Sequence, residues 1–261
     1  MELPFTELDK PRWSRLNRPS ELMCCRVAQG SKKDRLKKKV NAKAADNNAS
    51  PRLNLAPTQD ALVARMVSEE IRLDTLRWGL IPPWTKDRAI AHKLANARAE
   101  TIDEKPSFKQ PFKKRRCLLP VTGYYEWETR SDGKQPVYYS MRDGDLFCLA
   151  GLWESFTELV ETESPRLPGL DLGQAEPAKL HTFTLITTTP NLLAKRVHDR
   201  MPVIVHPDDY AKWLAPNTPA PELKSLLRPF ADEPMQEHYV TRRMSNPRYE
   251  APDCNTAVDF S

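Results

Sequence analysis

No apolar run in this sequence approaches the roughly 18–20 residues that a bilayer-spanning helix needs. The first 22 residues mix Arg, Glu, Asp and Pro without an apolar stretch, so no membrane anchor or secretory leader is expected. Glycine-rich phosphate loops of the GxGxxG or P-loop type are missing, as are paired CxxC motifs and His-rich spacings. No nucleotide cofactor and no metal is therefore expected. The five cysteines, at positions 24, 25, 117, 148 and 254, are odd in number and fit reduced thiols in an intracellular protein. The compartment expected is the nucleus in a eukaryote and the cytoplasm in a bacterium.

Glycine is scarce, 8 residues against 24 prolines, while 39% of the chain is apolar and 29% charged. Such a composition predicts an ordered body interrupted by proline-rich loops rather than a disordered chain. At 261 residues the chain exceeds the most common domain size, yet mixed folds of about 200–250 residues often form one unit around one core. A net charge of +5, from 40 basic against 35 acidic residues, favours a polyanionic partner or serves solubility alone. Residues 1–22, the lysine-rich 31–50 and the proline-containing 161–180 read as an extension and two inserts. The domain is expected over 23–248, with a tail at 249–261. The run Lys32-Lys33-Asp34-Arg35-Leu36-Lys37-Lys38-Lys39 is either an import or phosphate-binding patch or a solvated loop.

Segments rich in β-branched and aromatic residues predict strands at Leu62–Val67, Arg116–Val121, Gly123–Glu128, Val137–Ser140, Leu146–Leu152, Thr182–Thr188 and Pro202–Val205. Helices are predicted after Thr189-Pro190, from Pro207 through Trp213, and over Pro221–Leu227. The expected class is α+β: a single β-rich domain with a mostly antiparallel, partly barrel-like sheet flanked by a few helices, and a monomer.

Several residues carry possible chemistry. In Leu119-Pro120-Val121-Thr122-Gly123-Tyr124-Tyr125-Glu126-Trp127, strand alternation puts Tyr124, Glu126 and Glu128 on one face and Tyr125 and Trp127 on the other. Glu126 is then either a carboxylate perturbed by surrounding aromatics or a solvated strand residue. His198, in Val197-His198-Asp199-Arg200-Met201-Pro202, falls in a connection that either exposes a functional imidazole or holds a surface histidine beside an aspartate. Asn96 and Arg98 share a face of an extended segment and either hold a phosphate or cap a turn. Trp78-Gly79-Leu80-Ile81-Pro82-Pro83-Trp84 is a buried staple or a base-stacking platform. Cys24-Cys25-Arg26 is weak by itself, since burial is the usual fate of cysteine.

Taken in order, Met23-Cys24-Cys25-Arg26, Asn54-Leu55-Ala56-Pro57-Thr58-Gln59, Trp78-Gly79-Leu80-Ile81-Pro82, Asn96-Ala97-Arg98, Gly123-Tyr124-Tyr125-Glu126-Trp127, Ala150-Gly151-Leu152-Trp153 and His198-Asp199-Arg200-Met201-Pro202 resemble the SOS-response-associated peptidase family. The resemblance runs from about Met23 to Asn246. It implies a β-rich domain with a positively charged channel for single-stranded DNA, and covalent joining to abasic sites through a cysteine that is the first residue. The matching residue is Cys24. By this resemblance Asn96 positions the amino-terminal residue, Glu126 manages the amine proton and the sugar-ring oxygen, and His198 assists ring opening and reversal as acid or base. Arg26, Arg98 and Arg200 grip phosphates, while Trp78, Leu80 and Pro82 lie against bases.

Two departures stand out. Family members begin Met-Cys-Gly-Arg, whereas here 22 residues precede Met23, so Cys24 has no free α-amine in the chain as written. Translation from Met23 is expected, in preference to removal of the extension or a protein that only binds DNA. The second is Cys25 where the family has glycine, which adds a side chain beside the nucleophile. Two other classes stay open: a cysteine-type peptidase using Cys24, Glu126 and His198, acting on peptides or only on the bond before Cys24, and a non-catalytic single-stranded DNA-binding module. Lyase action through the same Schiff base accompanies the first reading.

Overall fold

Side chains that alternate between two buried clusters line the longest local pairing in the molecule, an eight-rung antiparallel hairpin from Asp60–Arg77 to Val67–Glu70. Its two-residue turn places Ser68 and Glu69 at φ of 48° and 68°. That left-handed geometry matches strand twist but usually recruits Asn or Gly.

The computed structural model describes residues 26–46, 50–158 and 178–259. In chain order the main elements are β1 (Arg26–Gln29), α1 (Lys33–Lys39), β2 (Ala44–Ala45), β3 (Arg52–Leu55), β4 (Asp60–Val67), β5 (Glu70–Trp78), α2 (Ile90–Lys93), β6 (Asn96–Arg98), α3 (Pro106–Lys114), β7 (Arg116–Val121), β8 (Gly123–Arg130), β9 (Gly133–Met141), β10 (Phe147–Glu158), β11 (Ala178–Thr188), α4 (Leu192–Lys195), β12 (Met201–Pro202), β13 (Ile204–Val205), α5 (Tyr210–Leu214), α6 (Ala220–Ser225) and β14 (Met235–Tyr239). The α+β, β-rich expectation holds.

Two sheets build the domain. One has the order β14-β9-β8-β1-β3; the other runs β12-β11-β10-β7-β4-β5-β2. Because β11 also pairs in parallel with β5, through Thr182–Arg77 and Phe183–Trp78, the strands β4, β5, β11, β10 and β7 close into a ring. Closure removes the exposed edges that an open sheet would present. Two large apolar clusters follow from the alternation along these strands. Leu62, Leu73, Leu118, Leu152 and Ile186 pack with Leu36 of α1, Phe112 of α3 and Trp213 of α5. Val63, Leu76, Trp78, Leu119 and Phe183 pack with Val27, Tyr124 and Tyr139 of the other sheet.

Buried polar side chains lock these layers together. Arg116, 3% exposed, donates to the Phe112 and Lys113 carbonyls at the end of α3 and to the Trp213 and Ala215 carbonyls at the end of α5. One guanidinium thereby satisfies two helix C-termini. Gln29 of β1 accepts from the Leu62 N–H and donates to the Leu62 and Pro120 carbonyls, fastening β1 to the ring. Asn54 of β3 donates to the carbonyls of Met244, Asn246 and Tyr249.

These contacts revise three sequence expectations. The lysine-rich 31–50 is no plain loop: it contains α1, whose Leu36 is buried with the neighbouring Val40. The expected tail is folded back, with Glu250 accepting from the Leu53 and Asn54 N–H groups and Cys254 buried. The single strand expected over Pro202–Val205 divides into β12 on β11 and β13 on β10. Most of 161–180, and residues 1–25, lie outside the described residues.

Replacing Ser68 and Glu69 by Asn and Gly relieves the two positive-φ positions and is expected to stabilise the fold by about 1 kcal/mol, since left-handed backbone costs an ordinary residue roughly 1–2 kcal/mol. Equilibrium urea unfolding checks this; an unchanged or lower midpoint contradicts it.

Candidate active site

Glu126 sits in the middle of β8 and is 4% exposed. Register puts it opposite Val137 of β9, which in turn faces Tyr239 of β14. Two residues back, Tyr124 faces Tyr139, which faces Glu237. Glu126 therefore shares a face with Tyr124, Tyr139 and Glu237, and the Tyr124 and Tyr139 rings stack at 4.8 Å with an interplanar angle of 9°. Of the two readings open for Glu126, it is the buried carboxylate among aromatics and not the solvated one.

β1 lies against this strand. Arg26 pairs with Tyr125 and Val27 with Tyr124. The Arg26 guanidinium lies 5.8 Å from the Trp127 ring centroid and donates to the Ser245 carbonyl, while Trp127 Nε1 donates to Ser245 Oγ at 2.9 Å. A half-buried arginine is thus held at the start of β1, immediately after Cys25. Cys24 lies outside the described residues.

The second group comes from the other sheet. β6 runs parallel to β11, with Asn96 beside Leu185 and Arg98 beside Thr187. Asn96 is half-buried; Arg98 is exposed. A 3-10 turn over Ala99–Thr101 follows and presents Glu100. Glu100 grips Arg200 through both oxygens, at 2.6 and 2.8 Å, and Arg200 also donates to the Thr187 carbonyl at 2.7 Å. The Arg200 hydrogen bond holds the Glu100 carboxyl below the ordinary carboxylate range. This contact joins the Asn96–Glu100 segment to the turn carrying His198.

His198 is a quarter exposed. Its Nδ1 accepts from the Arg200 backbone N–H at 3.0 Å and lies 2.9 Å from Asp199 Oδ1. One nitrogen cannot serve both, because accepting needs the lone pair and pairing with Asp199 needs a proton. With its proton on Nε2 the ring keeps the Arg200 contact; with a proton on Nδ1 it exchanges that contact for Asp199.

Several expectations change. Trp78 and Leu80 are 0% exposed, and Pro82 is buried. Trp78 stacks on Phe183 and donates Nε1 to the Ala95 carbonyl. The segment is the buried staple, and none of these three residues presents a face to a base. The exposed aromatic is Trp84, at 61%, carried outward after Pro82-Pro83 and followed by exposed Lys86, Arg88 and Lys93. Arg200 is also corrected, since its guanidinium is committed to Glu100 and Thr187. Arg98 is the open cation of the pair. Glu100, Arg196 and Glu237 were missed because pairing between residues far apart in the sequence leaves no local pattern.

Among the described residues no group of three His, Cys, Asp or Glu side chains is arranged to hold a metal ion. No helix among them is long and apolar enough to cross a membrane. A cavity of about 430 Å³, between Ile204–His206 and Leu226–Pro234, is lined by none of the candidate residues.

These features define a closed-ring α+β domain in which the Arg196–Glu237 pair, at 2.8 Å, ties the turn carrying His198 to the sheet that carries Glu126. The chain belongs to the SOS response associated peptidase (SRAP) family, whose sequence profile matches residues 23–247. It is 38% identical over 206 residues to the abasic site processing protein YoqW of Bacillus subtilis, covering 78% of this chain and 84% of that one. Identity is 40% over 201 residues to YoaM of the same organism, covering 76% and 81%. Against the abasic site processing protein HMCES of Gallus gallus it is 30% over 217 residues, covering 74% and 59%. A crystal structure of a Bacteroides thetaiotaomicron protein superposes with a TM-score of 0.74 at 26% identity, covering 90% of this chain and all of that one.

Glu100, with its depressed pKa, stabilises the fold above its ordinary pKa of about 4.5, and that contribution disappears as pH falls through the lower folded value. Its carboxylate is half-exposed, so the effect is modest. Glu100→Gln is expected to lower the urea midpoint at neutral pH and to flatten its fall toward acid. Equal acid slopes for the two proteins contradict the assignment.

Proposed function

We propose that this protein processes abasic sites in single-stranded DNA by forming a covalent adduct through Cys24 as its first residue. The observation that carries the reading is the pairing of β1 with β8, Arg26 opposite Tyr125, beside the buried Glu126. Two peptide units join Cys24 to Arg26, so their Cα atoms are no more than about 7 Å apart. The relatives named as abasic site processing proteins support the substrate.

The chemistry needs amine and thiol on one residue. The α-amine of Cys24 adds to the C1′ aldehyde of the ring-opened sugar, and loss of water gives an imine. The thiolate then attacks the imine carbon, the nitrogen takes a proton, and a five-membered thiazolidine closes. Glu126 handles the amine proton, Asn96 orients the terminus, and His198 supplies or accepts the proton at the sugar oxygen through Nε2. Opening the sugar from its cyclic form is the step that needs such an acid. A general base that takes a C2′ proton from the imine-linked sugar expels the 3′ phosphate by β-elimination, which gives the accompanying lyase action.

DNA contact falls to the exposed groups. Arg98 serves a phosphate and Trp84 stacks a base, with Lys86 and Lys93 along the same segment. Such backbone and stacking contacts carry little sequence preference.

A protein begun at Met23, with its methionine removed, is expected to give a denaturation-resistant band with an abasic oligonucleotide. Cys24→Ala gives none, and Glu126→Gln slows adduct formation at least about a hundredfold. An adduct undiminished in Cys24→Ala overturns the reading, as does its absence from the Met23-start protein. Trp84→Ala is expected to weaken single-strand binding by roughly 1–3 kcal/mol without changing its salt dependence. Arg98→Ala reduces the salt slope by about 0.7. Filter binding over a salt series separates the two effects; a salt slope unchanged in Arg98→Ala contradicts the phosphate role.

A further inference from the structure

The turn that carries His198 belongs to neither sheet, yet it is fastened to both. At its start, Asn191 caps α4 by accepting from the Ala194 N–H and donates to the Phe230 carbonyl at 3.0 Å. The Leu193 N–H donates to Asp232 at 2.9 Å. Two residues before His198, Arg196 meets Glu237 of β14 at 2.8 Å. Two residues after it, Arg200 is gripped by Glu100 of the 3-10 turn that follows β6 of the other sheet. His198 thus lies, in sequence, midway between two arginine–carboxylate pairs, one reaching β14 and the other the turn after β6.

We propose that Glu237 is a positioning residue for His198, holding Arg196 so that the His198 turn is clamped to the sheet face that carries Glu126. The assignment rests on the abasic-site reading above for the step that His198 performs. Three observations carry it. Glu237 is on the same face as Tyr139, Tyr124 and Glu126, by register through β9. Its side chain is only 15% exposed, whereas that of Arg196 is 65% exposed, so the arginine reaches from solvent down to an inward carboxylate. The contact also crosses between sheets, because Arg196 follows β11 of the ring while Glu237 belongs to the five-stranded sheet.

An exposed ion pair contributes little to stability. Here one partner is buried, and burial raises the Glu237 carboxyl while Arg196 opposes that rise. Loss of Arg196 therefore leaves a carboxylate with a weakened reason to stay ionised and removes the tether nearest His198 on its upstream side. The Asn191 and Leu193 bonds hold the start of α4 and the Arg200 anchor holds the downstream end, so loss of Arg196 frees only the short stretch between them, and the ring shifts about the Arg200 N–H contact. Small displacements of a proton-transfer group have large kinetic cost.

The test is Glu237→Gln in the Met23-start protein, with Arg196→Gln as the second variant should the first fail to fold. Rates of adduct formation and reversal with an abasic oligonucleotide are followed against pH, alongside imidazole nitrogen NMR of His198. The expected result is an about tenfold loss in the His198-dependent rate with a displaced pH profile, and a shifted His198 nitrogen signal. Binding to an intact oligonucleotide is expected to stay unchanged. In a His198→Ala background the same substitution is expected to cost nothing further. An unchanged rate, profile and nitrogen signal overturns the clamp, as does an equal loss in the His198→Ala background. Should the parent protein form no adduct, the abasic-site reading fails by itself; the nitrogen signal then still decides whether Glu237 sets the state of His198.

Discussion

The position of β1 is the constraint on which the site depends. It is four residues long, yet it is paired on one edge with β3 and on the other with β8, and Gln29 at its end is bonded to β4 and β7 of the ring. A strand paired on both edges cannot shift register without reversing every side chain on it. The direction in which the chain enters at Arg26 is therefore fixed relative to Glu126. In the proposed reaction, a nucleophile two residues earlier stays within about 7 Å of the Arg26 Cα by chain length alone.

Charge around the site is sorted by commitment. Arg200 is held by Glu100 and Thr187, Arg196 by Glu237, and Arg26 by Ser245 and the Trp127 ring. These groups shape turns and strand ends. Arg98 and the basic residues after Trp84 remain exposed on the surface. An anionic polymer meets the second set directly, while the first set keeps the histidine and strand faces in place. A net charge of +5 says nothing of this division, because it counts both kinds alike.

Much of this was legible in the residues, and the gaps have physical causes. The strand at Gly123–Glu128 was visible from alternation, and its face assignment of Tyr124, Glu126 and Glu128 holds in the register. β5 was missed because Ser68-Glu69 makes a hairpin turn without the Asn or Gly that announces one. α1 was hidden in a lysine run whose single buried leucine gives no period. Trp78 and Trp84 bracket one proline turn, and composition alone does not say which of two tryptophans faces water; closure of β5 on β11 buries the first against Phe183. Glu100 and Glu237 acquire meaning only when two sheets meet at the turn between Arg196 and Arg200. Such tertiary pairings have no local signature.

The most direct measurement is peptide mapping of the adduct. Trypsin cleaves after Arg26, so a Met23-start protein that has reacted with an abasic oligonucleotide, then been digested with nuclease and trypsin, releases the tripeptide Cys24-Cys25-Arg26. The expected result is the sugar remnant on that tripeptide, with a mass equal to tripeptide plus remnant less one water and with no free thiol on Cys24. Finding the remnant on a lysine-containing peptide, with Cys24 unmodified, contradicts the central claim.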